Sequence, residues 1–324
     1  MVTFPNAKIN LGLDVVAKRP DGYHNLETIF YPVPLQDILE ITVTEEEGAP
    51  DYTFKMHNAV FEGDNNDNLV VKAYKILAAD HKLPKVEMSL YKNIPTGAGL
   101  GGGSADAAFA LKMLNEIACL NLSDEQLEAY AARIGADCAF FIKNTPAYAT
   151  GIGNILSPTV CSISGYHLVL VKPDIHISTK EAYSLVTPAA AETPLTEIAA
   201  LAVEEWKGKM KNDFEKSVFA NHPQMKKIKE ELYNMGAVYA SMSGSGSAFF
   251  GLFTEQQDIE DIEKKLYDLD DLRIFTVYEA LSRGINPKKF TEIYENLAVN
   301  CGEGFIGVQE QKFSMFSDNM SLDN

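Results

Sequence analysis

Pro95-Thr96-Gly97-Ala98-Gly99-Leu100-Gly101-Gly102-Gly103-Ser104 is the stretch on which the reading of this chain turns. Five of the seven residues from Gly97 to Gly103 are glycine. Each glycine costs roughly 0.5–1 kcal/mol of ordering entropy relative to alanine, so the run is unfavourable by about 2.5–5 kcal/mol. A tight turn needs one glycine or two. Upstream, Val86 to Leu90 alternates as a strand does; downstream, a helical pattern runs from Ala105 to about Ile117, directly behind Ser104. Strand, glycine loop and helix N-terminus form an anion cradle, because bare amides reach phosphate oxygens and the helix dipole favours their charge. A flexible linker is the competing reading, and it fits poorly with a helix that starts where the loop ends.

Composition explains why such a local device is needed. Of the 324 residues, 46% are hydrophobic and 23% charged, which excludes wholesale disorder and fibrous repeats. Lys and Arg number 28 against 45 Asp and Glu, a net charge of −17 and a pI near 4.8. So acidic a chain repels duplex DNA and anionic lipid at long range. A phosphate-bearing ligand must be held locally, by amides and one or two placed cations. The N-terminal apolar stretch is interrupted by Pro5, Asn6, Lys8 and Asn10, unlike a signal peptide, and no apolar run is long enough to span a bilayer. Cys119, Cys138, Cys161 and Cys301 are widely spaced, and the six histidines make no H-E-x-x-H pattern. The chain reads as a soluble, reduced, cytoplasmic protein with no nucleic-acid or membrane partner; its oligomeric state is not legible.

The loop matches other patterns only formally. Gly97-x-Gly99-x-x-Gly102 is a dinucleotide fingerprint, but the acidic strand end that fold needs about 20 residues on is replaced by Asn121-Leu122-Ser123-Asp124, the start of a helix. Gly97-x-x-x-x-Gly102 opens a P-loop, yet Gly103-Ser104 stands where Lys-Ser/Thr belongs. The absence of H-R-D and D-F-G excludes a protein kinase.

Around the loop, Lys8 to Val16 and Asp37 to Val43 read as strands, with the turn Arg19-Pro20-Asp21-Gly22 between them. Leu69 to Ala79 reads as a helix. A second helix runs from Ser123 to Ile134, with Ser123 and Gln126 as a capping box and Leu127, Tyr130, Ala131 and Ile134 as its stripe. The Gly-, Ser- and Pro-rich stretch after Tyr148 suggests a domain boundary near residue 160. Strands follow at His167–Lys172, Ala237–Ser243 and Ala248–Phe253, and an amphipathic helix at Pro287–Ala298.

Four elements then combine. Pro95 to Ala108 resembles the nucleotide-binding loop of the GHMP kinases. Ala7-Lys8-Ile9-Asn10-Leu11 with Arg19-Pro20-Asp21-Gly22-Tyr23-His24-Asn25-Leu26 resembles the N-terminal signature of one branch, which phosphorylates a cytidine diphosphate-linked methylerythritol. Gly135-Ala136-Asp137-Cys138-Ala139-Phe140-Phe141 and Met242-Ser243-Gly244-Ser245-Gly246-Ser247 resemble two further family motifs. The resemblance runs from residue 4 to about 281 and leaves residues 282–324 as a tail without a family counterpart. It implies an α+β fold of two domains: residues 1–160, like ribosomal protein S5 domain 2 and binding ATP, and residues 161–281, ferredoxin-like. The implied reaction moves the γ-phosphate of ATP to the substrate's 2-hydroxyl, with Mg2+, on the non-mevalonate route to isoprenoid precursors. Another small-molecule kinase of the family, or a non-catalytic sensor on the same fold, is the alternative.

Lys8 and Asp137 are the only charged residues in two otherwise apolar stretches. Each would be expensive to bury alone, so pairing them beside the loop solves both problems. The resemblance gives Asp137 the substrate hydroxyl and Lys8 the task of orienting it and neutralising charge. A carboxylate beside an ammonium is a weak base, so Asp137 is expected mainly to align the hydroxyl and take its proton late. A buried ion pair without a role is the plainer alternative. By the same resemblance, residues Pro95, Thr96, Gly97, Ala98, Gly99, Leu100, Gly101, Gly102, Gly103, Ser104 and Ala105 hold ATP, and Ser104 is the hydroxyl for the metal. Tyr23 and Tyr183 sandwich the cytosine while His24 hydrogen-bonds it; Asn10, Thr179, Ser243 and Gly244 also contact the substrate. Surface aromatics are the plain alternative for Tyr23 and His24. Asp106 is expected to cap or pack within the loop–helix junction rather than to catalyse.

Overall fold

A computed structural model describes residues 1–59, 64–267 and 274–281. The amphipathic helix expected at 287–298 lies outside them. The chain opens with β1 (Val2–Thr3), β2 (Asn6–Lys18), β3 (His24–Gln36), β4 (Ile38–Val43) and β5 (Tyr52–His57). Then come α1 (Leu69–Asp80), β6 (Val86–Tyr91), α2 (Gly102–Ile117), α3 (Asp124–Ile134), α4 (Phe140–Lys143), β7 (Ala147–Thr150) and β8 (Ile155–Pro158). They are followed by β9 (His167–Pro173), α5 (Thr179–Ala182), α6 (Leu195–Ala199), α7 (Phe214–Asn221), α8 (Pro223–Asn234), β10 (Tyr239–Met242), β11 (Phe249–Phe253), α9 (Ile259–Tyr267) and β12 (Ile274–Leu281). Three sheets result, ordered β1-β4-β6-β5, β2-β3-β7-β8 and β10-β11-β9-β12. The fold is α+β, as expected. No helix among the described residues is long and apolar enough to cross a membrane.

The β2–β3 hairpin dominates the second sheet. Its turn works as its residues dictate: Gly22 takes φ +89°, Arg19 N–H donates to Tyr23 O at 2.8 Å, and the Asp21 carboxylate accepts from Tyr23 N–H at 3.1 Å. The Gly- and Ser-rich stretch after Tyr148 forms the turn and second strand of the β7–β8 hairpin. Helices α1, α2 and α3 pack Leu77, Leu111, Leu114 and Leu127 against Leu39, Ile41, Met88 and Leu90 of the first sheet. At the start of α3 both halves of the capping box are present. Ile9 and Leu11 of β2 join a second core with Trp206, Tyr239 and Phe250.

Helix α2 begins at Gly102, three residues before the apolar periodicity starts. Propensity assigns Gly102-Gly103 to the loop, but Ala105 N–H already donates to Gly101 O at 2.9 Å. Gly101, at φ +72°, is the N-cap and offers no side-chain acceptor, so the first amides of the helix are left for a ligand or water. Asp106 does not cap this end. It is buried in the second turn and takes an ion pair from Lys92 at 2.8 Å. Lys92 also pairs with Asp37, whose other oxygen accepts from Asn93 N–H at 2.6 Å and Ile94 N–H at 2.8 Å. All three side chains are buried. Burial lifts the Asp106 carboxyl well above its ordinary range, against the pull of Lys92. Burial alone would lower the Lys92 ammonium, but the two carboxylates leave it above its usual value. The triad thereby ties the β3–β4 junction, the segment between β6 and Pro95, and α2 together.

The glycine loop is closed on its other side by the β10–β11 connection. Ala248 N–H donates to Ala98 O at 3.0 Å, and Ser243 Oγ donates to Gly99 O at 2.9 Å. Gly99 has φ +78°, and a Cβ there would lie 2.0 Å from Ser243 O. No other residue type fits that position.

Lys92→Met leaves two buried carboxylates without a cation, and denaturant unfolding is expected to show a loss of about 3–5 kcal/mol; an unchanged midpoint contradicts the triad's bracing role. Gly99→Ala is expected to destabilise by at least about 2 kcal/mol. Gly103→Ala, whose Cβ meets nothing closer than Leu69 at 3.7 Å, is expected to be stabilising by up to about 1 kcal/mol. Equal effects at the two positions would refute the close-approach argument.

Candidate active site

Lys8, near the start of β2, is 3% exposed. Its ammonium has three protons and meets three acceptors: Asn10 Oδ1 at 2.7 Å, Gly99 O at 3.1 Å and Asp137 Oδ2 at 3.3 Å. It also lies 4.9 Å from the centre of the Phe30 ring. Main chain joins the same elements, since Lys8 N–H donates to Leu100 O at 2.9 Å. The strand is thus stitched to the glycine loop twice, once through backbone and once through the ammonium.

Asn10 is oriented by a chain of bonds. Thr28 Oγ1 gives its proton to Gly12 O at 2.6 Å and can then only accept from Asn10 Nδ2, 2.9 Å away. That leaves Asn10 Oδ1 turned to Lys8. Thr28 and Gly12 carry no signal of this in the sequence, because their roles depend on the hairpin register.

Asp137 sits between α3 and α4 with its side chain 32% exposed. The expectation of two buried charges therefore holds for Lys8 alone; Asp137 reaches solvent while it holds the ammonium. Gly153 of the β7–β8 turn lies opposite, where a Cβ would stand 4.0 Å from Asp137 Oδ1. Beyond Asp137, burial pushes the Cys138 thiol up to about 11, opposed by a hydrogen bond with Ser104. Cys138 is therefore a neutral packing group and no nucleophile, and the contact brings Ser104, in the first turn of α2, next to the Asp137 turn.

Ser243 is buried. Its Oγ accepts from Asn10 N–H at 3.3 Å and donates to Gly99 O, so its hydroxyl is engaged within the protein. Gly244 approaches Asn10, with a Cβ there 3.2 Å from Asn10 Oδ1. The structure thus brings Lys8, Asn10, Gly99, Asp137, Ser243 and Gly244 into one cluster.

A second group gathers at the turn end of β3. His24 stacks on Tyr183, ring centroids 4.5 Å apart and 20° between planes, and Tyr183 meets Phe214 edge-on at 4.7 Å. Tyr23 is 63% exposed in the hairpin turn. The ring against Tyr183 is therefore His24, whereas the resemblance pairs Tyr183 with Tyr23 across a base. Thr179 lies one helical turn before Tyr183, whose N–H donates to Thr179 O at 3.2 Å. His176, exposed, has ring atoms 3.6 Å from where a Cβ on Gly97 would be. Sequence reading does not select it, since only the fold places 176 beside 97.

Comparison with known proteins identifies the family. The GHMP kinases N terminal domain matches residues 68–145 and the GHMP kinases C terminal domain matches 188–269. A protein of Bacteroides fragilis named 4-diphosphocytidyl-2-C-methyl-D-erythritol kinase is 57% identical over 265 residues, 81% of this chain and 96% of that protein. A Bacteroides thetaiotaomicron protein of the same name is 54% identical over the same shares. A crystal structure of 4-(cytidine 5'-diphospho)-2C-methyl-D-erythritol kinase superposes with a TM-score of 0.68 at 30% identity, covering 86% of this chain and 98% of that one. These matches together place the chain: it belongs to the GHMP kinase family, in the branch whose curated members are named 4-diphosphocytidyl-2-C-methyl-D-erythritol kinase.

Proposed function

We propose that the chain transfers the γ-phosphate of ATP to the 2-hydroxyl of 4-diphosphocytidyl-2-C-methyl-D-erythritol, a step of the non-mevalonate route to isoprenoid precursors, with Lys8 and Asp137 as its catalytic residues. The observation that carries the assignment of roles is the Lys8 ammonium, which bonds Gly99 O of the glycine loop on one side and Asp137 on the other. One cation thereby touches both the phosphate cradle and the carboxylate that meets the acceptor.

The chemistry asks mainly for alignment. Phosphoryl transfer passes through a loose transition state in which charge spreads over the equatorial oxygens, so positioning and neutralisation outweigh covalent help. Amides of Gly97 to Ala105 hold the triphosphate, aided by the positive end of α2. Asp137 accepts a hydrogen bond from the substrate hydroxyl and takes its proton late. Lys8 keeps that carboxylate turned to the cleft and offsets charge gathering on the transferred group. Among the described residues no group of three metal-ligating side chains is present. That suits Mg2+, which is held largely by phosphate oxygens and water with few protein ligands; Ser104 would hold it, and its charge would offset that of the β- and γ-phosphates. At the far end, Tyr23, His24 and Tyr183 receive the cytosine, each stacked face contributing about 1–3 kcal/mol, with Asn10, Thr179 and Gly244 along the substrate.

ADP release with Mg-ATP tests the reading, comparing the cytidyl compound with mevalonate, homoserine and galactose. Turnover confined to the cytidyl compound, suppressed by CMP or CDP and stopped by EDTA, is the expected result; phosphorylation of another acceptor instead would overturn it. Asp137→Asn and Lys8→Ala are each expected to lower kcat by about two orders of magnitude or more while ATP affinity stays within a few-fold. Near-normal turnover in either variant would remove its assigned role.

A further inference from the structure

Asn212 precedes α7, far in sequence from every motif of the site. It is buried, and its Nδ2 donates to two carbonyls at once, Met242 O and Gly244 O, both at 2.8 Å. Its Oδ1 accepts from Phe214 N–H at 3.0 Å. Only a carboxamide supplies two donors and an acceptor in so small a volume. The carbonyls it joins flank Ser243, so the bond pair sets the bend that aims the Ser243 hydroxyl at Gly99 O. Glu215, one helical turn on, grips the same strand end: its Oε1 accepts from Met242 N–H at 2.9 Å, and its Oε2 takes Lys229 at 2.6 Å.

The segment carrying Asn212 is fastened to β2, the strand of Lys8 and Asn10. Leu13 N–H donates to Lys211 O at 2.8 Å and Asp213 N–H to Leu13 O at 2.9 Å. Val15 N–H donates to Asp213 Oδ2 at 2.8 Å, and Lys211 pairs with Asp14 at 3.2 Å. A closed circuit results, from β2 through Asn212, the bend at Ser243 and Gly99 back to Lys8 on β2. We propose that Asn212 is a positioning residue for phosphoryl transfer, fixing the height of the Ser243–Gly246 loop over Gly99 and so the registry of the phosphate amides with Lys8. The inference rests on the reading of the site given above.

A double-mutant cycle between Asn212→Asp and Ser243→Ala tests it, read by kcat and KM on the cytidyl substrate and by ADP affinity from calorimetry. Asp keeps the acceptor for Phe214 N–H and removes both donors. Each single variant is expected to lower kcat about tenfold and weaken ADP several-fold, as lost hydrogen bonds of this kind do. KM for the acceptor is expected to stay within about twofold, and the double variant to be no worse than the worse single. Losses that multiply in the double variant, or an Asn212→Asp enzyme within twofold of wild type, overturn the proposal. If Asn212→Asp does not accumulate as folded protein, Asn212→Ser removes the same amide without adding charge and carries the same expectations. Wild-type protein that binds ADP but phosphorylates no acceptor would fail the functional reading alone, because the cycle in ADP affinity still decides the role of Asn212.

Discussion

A buried ammonium must find an acceptor for every proton it carries, and the site is arranged around meeting that demand for Lys8. One acceptor comes from its own strand, one from the glycine loop and one from the turn after α3. Each must be delivered by an element that is itself fixed. Asn10 is fixed by Thr28, Gly99 by the Ser243 loop, and Asp137 by the short α3–α4 connection with Ser104 and Cys138 behind it. The elements that look incidental in the fold, such as the register shift of β2 against β3 between Leu11 and Leu13 and the segment before α7, hold those acceptors where the ammonium needs them.

The same demand reconciles a strongly acidic chain with an anionic substrate pair. A net charge of −17 sets a repulsive field at long range, which solvent and salt screen within about 10 Å. In the proposed mechanism, amides at the start of α2 and the Lys8 ammonium decide the balance at contact range. The Lys92 triad lies directly behind this surface, with a Cβ on Gly102 placed 3.2 Å from the Lys92 ammonium. It contributes rigidity rather than attraction, since its two carboxylates offset its cation.

Much of this was legible in the sequence where the signal is local. Pro20 and Gly22 dictate the hairpin turn, Ser123 and Gln126 dictate the start of α3, and the glycine run announces close approach to the backbone. The start of α2 was not legible, because glycine has low helix propensity although its backbone takes helical angles freely. Asp106 packs at the loop–helix junction as its place in the sequence suggests, but its partners were not legible, because Lys92 is 14 residues away and Asp37 stands between β3 and β4. The Ser243–Gly99 bond spans 144 residues, and Asn212 and His176 depend on similar separations; such contacts leave no periodicity or spacing to read. The partial exposure of Asp137 is of the same kind, since a charge in an apolar stretch reads as buried until the cleft beside it is known.

In the proposed mechanism one buried lysine joins the phosphate loop to the carboxylate that meets the acceptor. A crystal structure with a non-hydrolysable ATP analogue and 4-diphosphocytidyl-2-C-methyl-D-erythritol decides whether it does. The predicted result is a 2-hydroxyl about 3 Å from the Asp137 carboxylate, with the γ-phosphate in line behind it and Lys8 still bonded to Asp137. A 2-hydroxyl held away from Asp137, with Lys8 turned from the carboxylate, would contradict it.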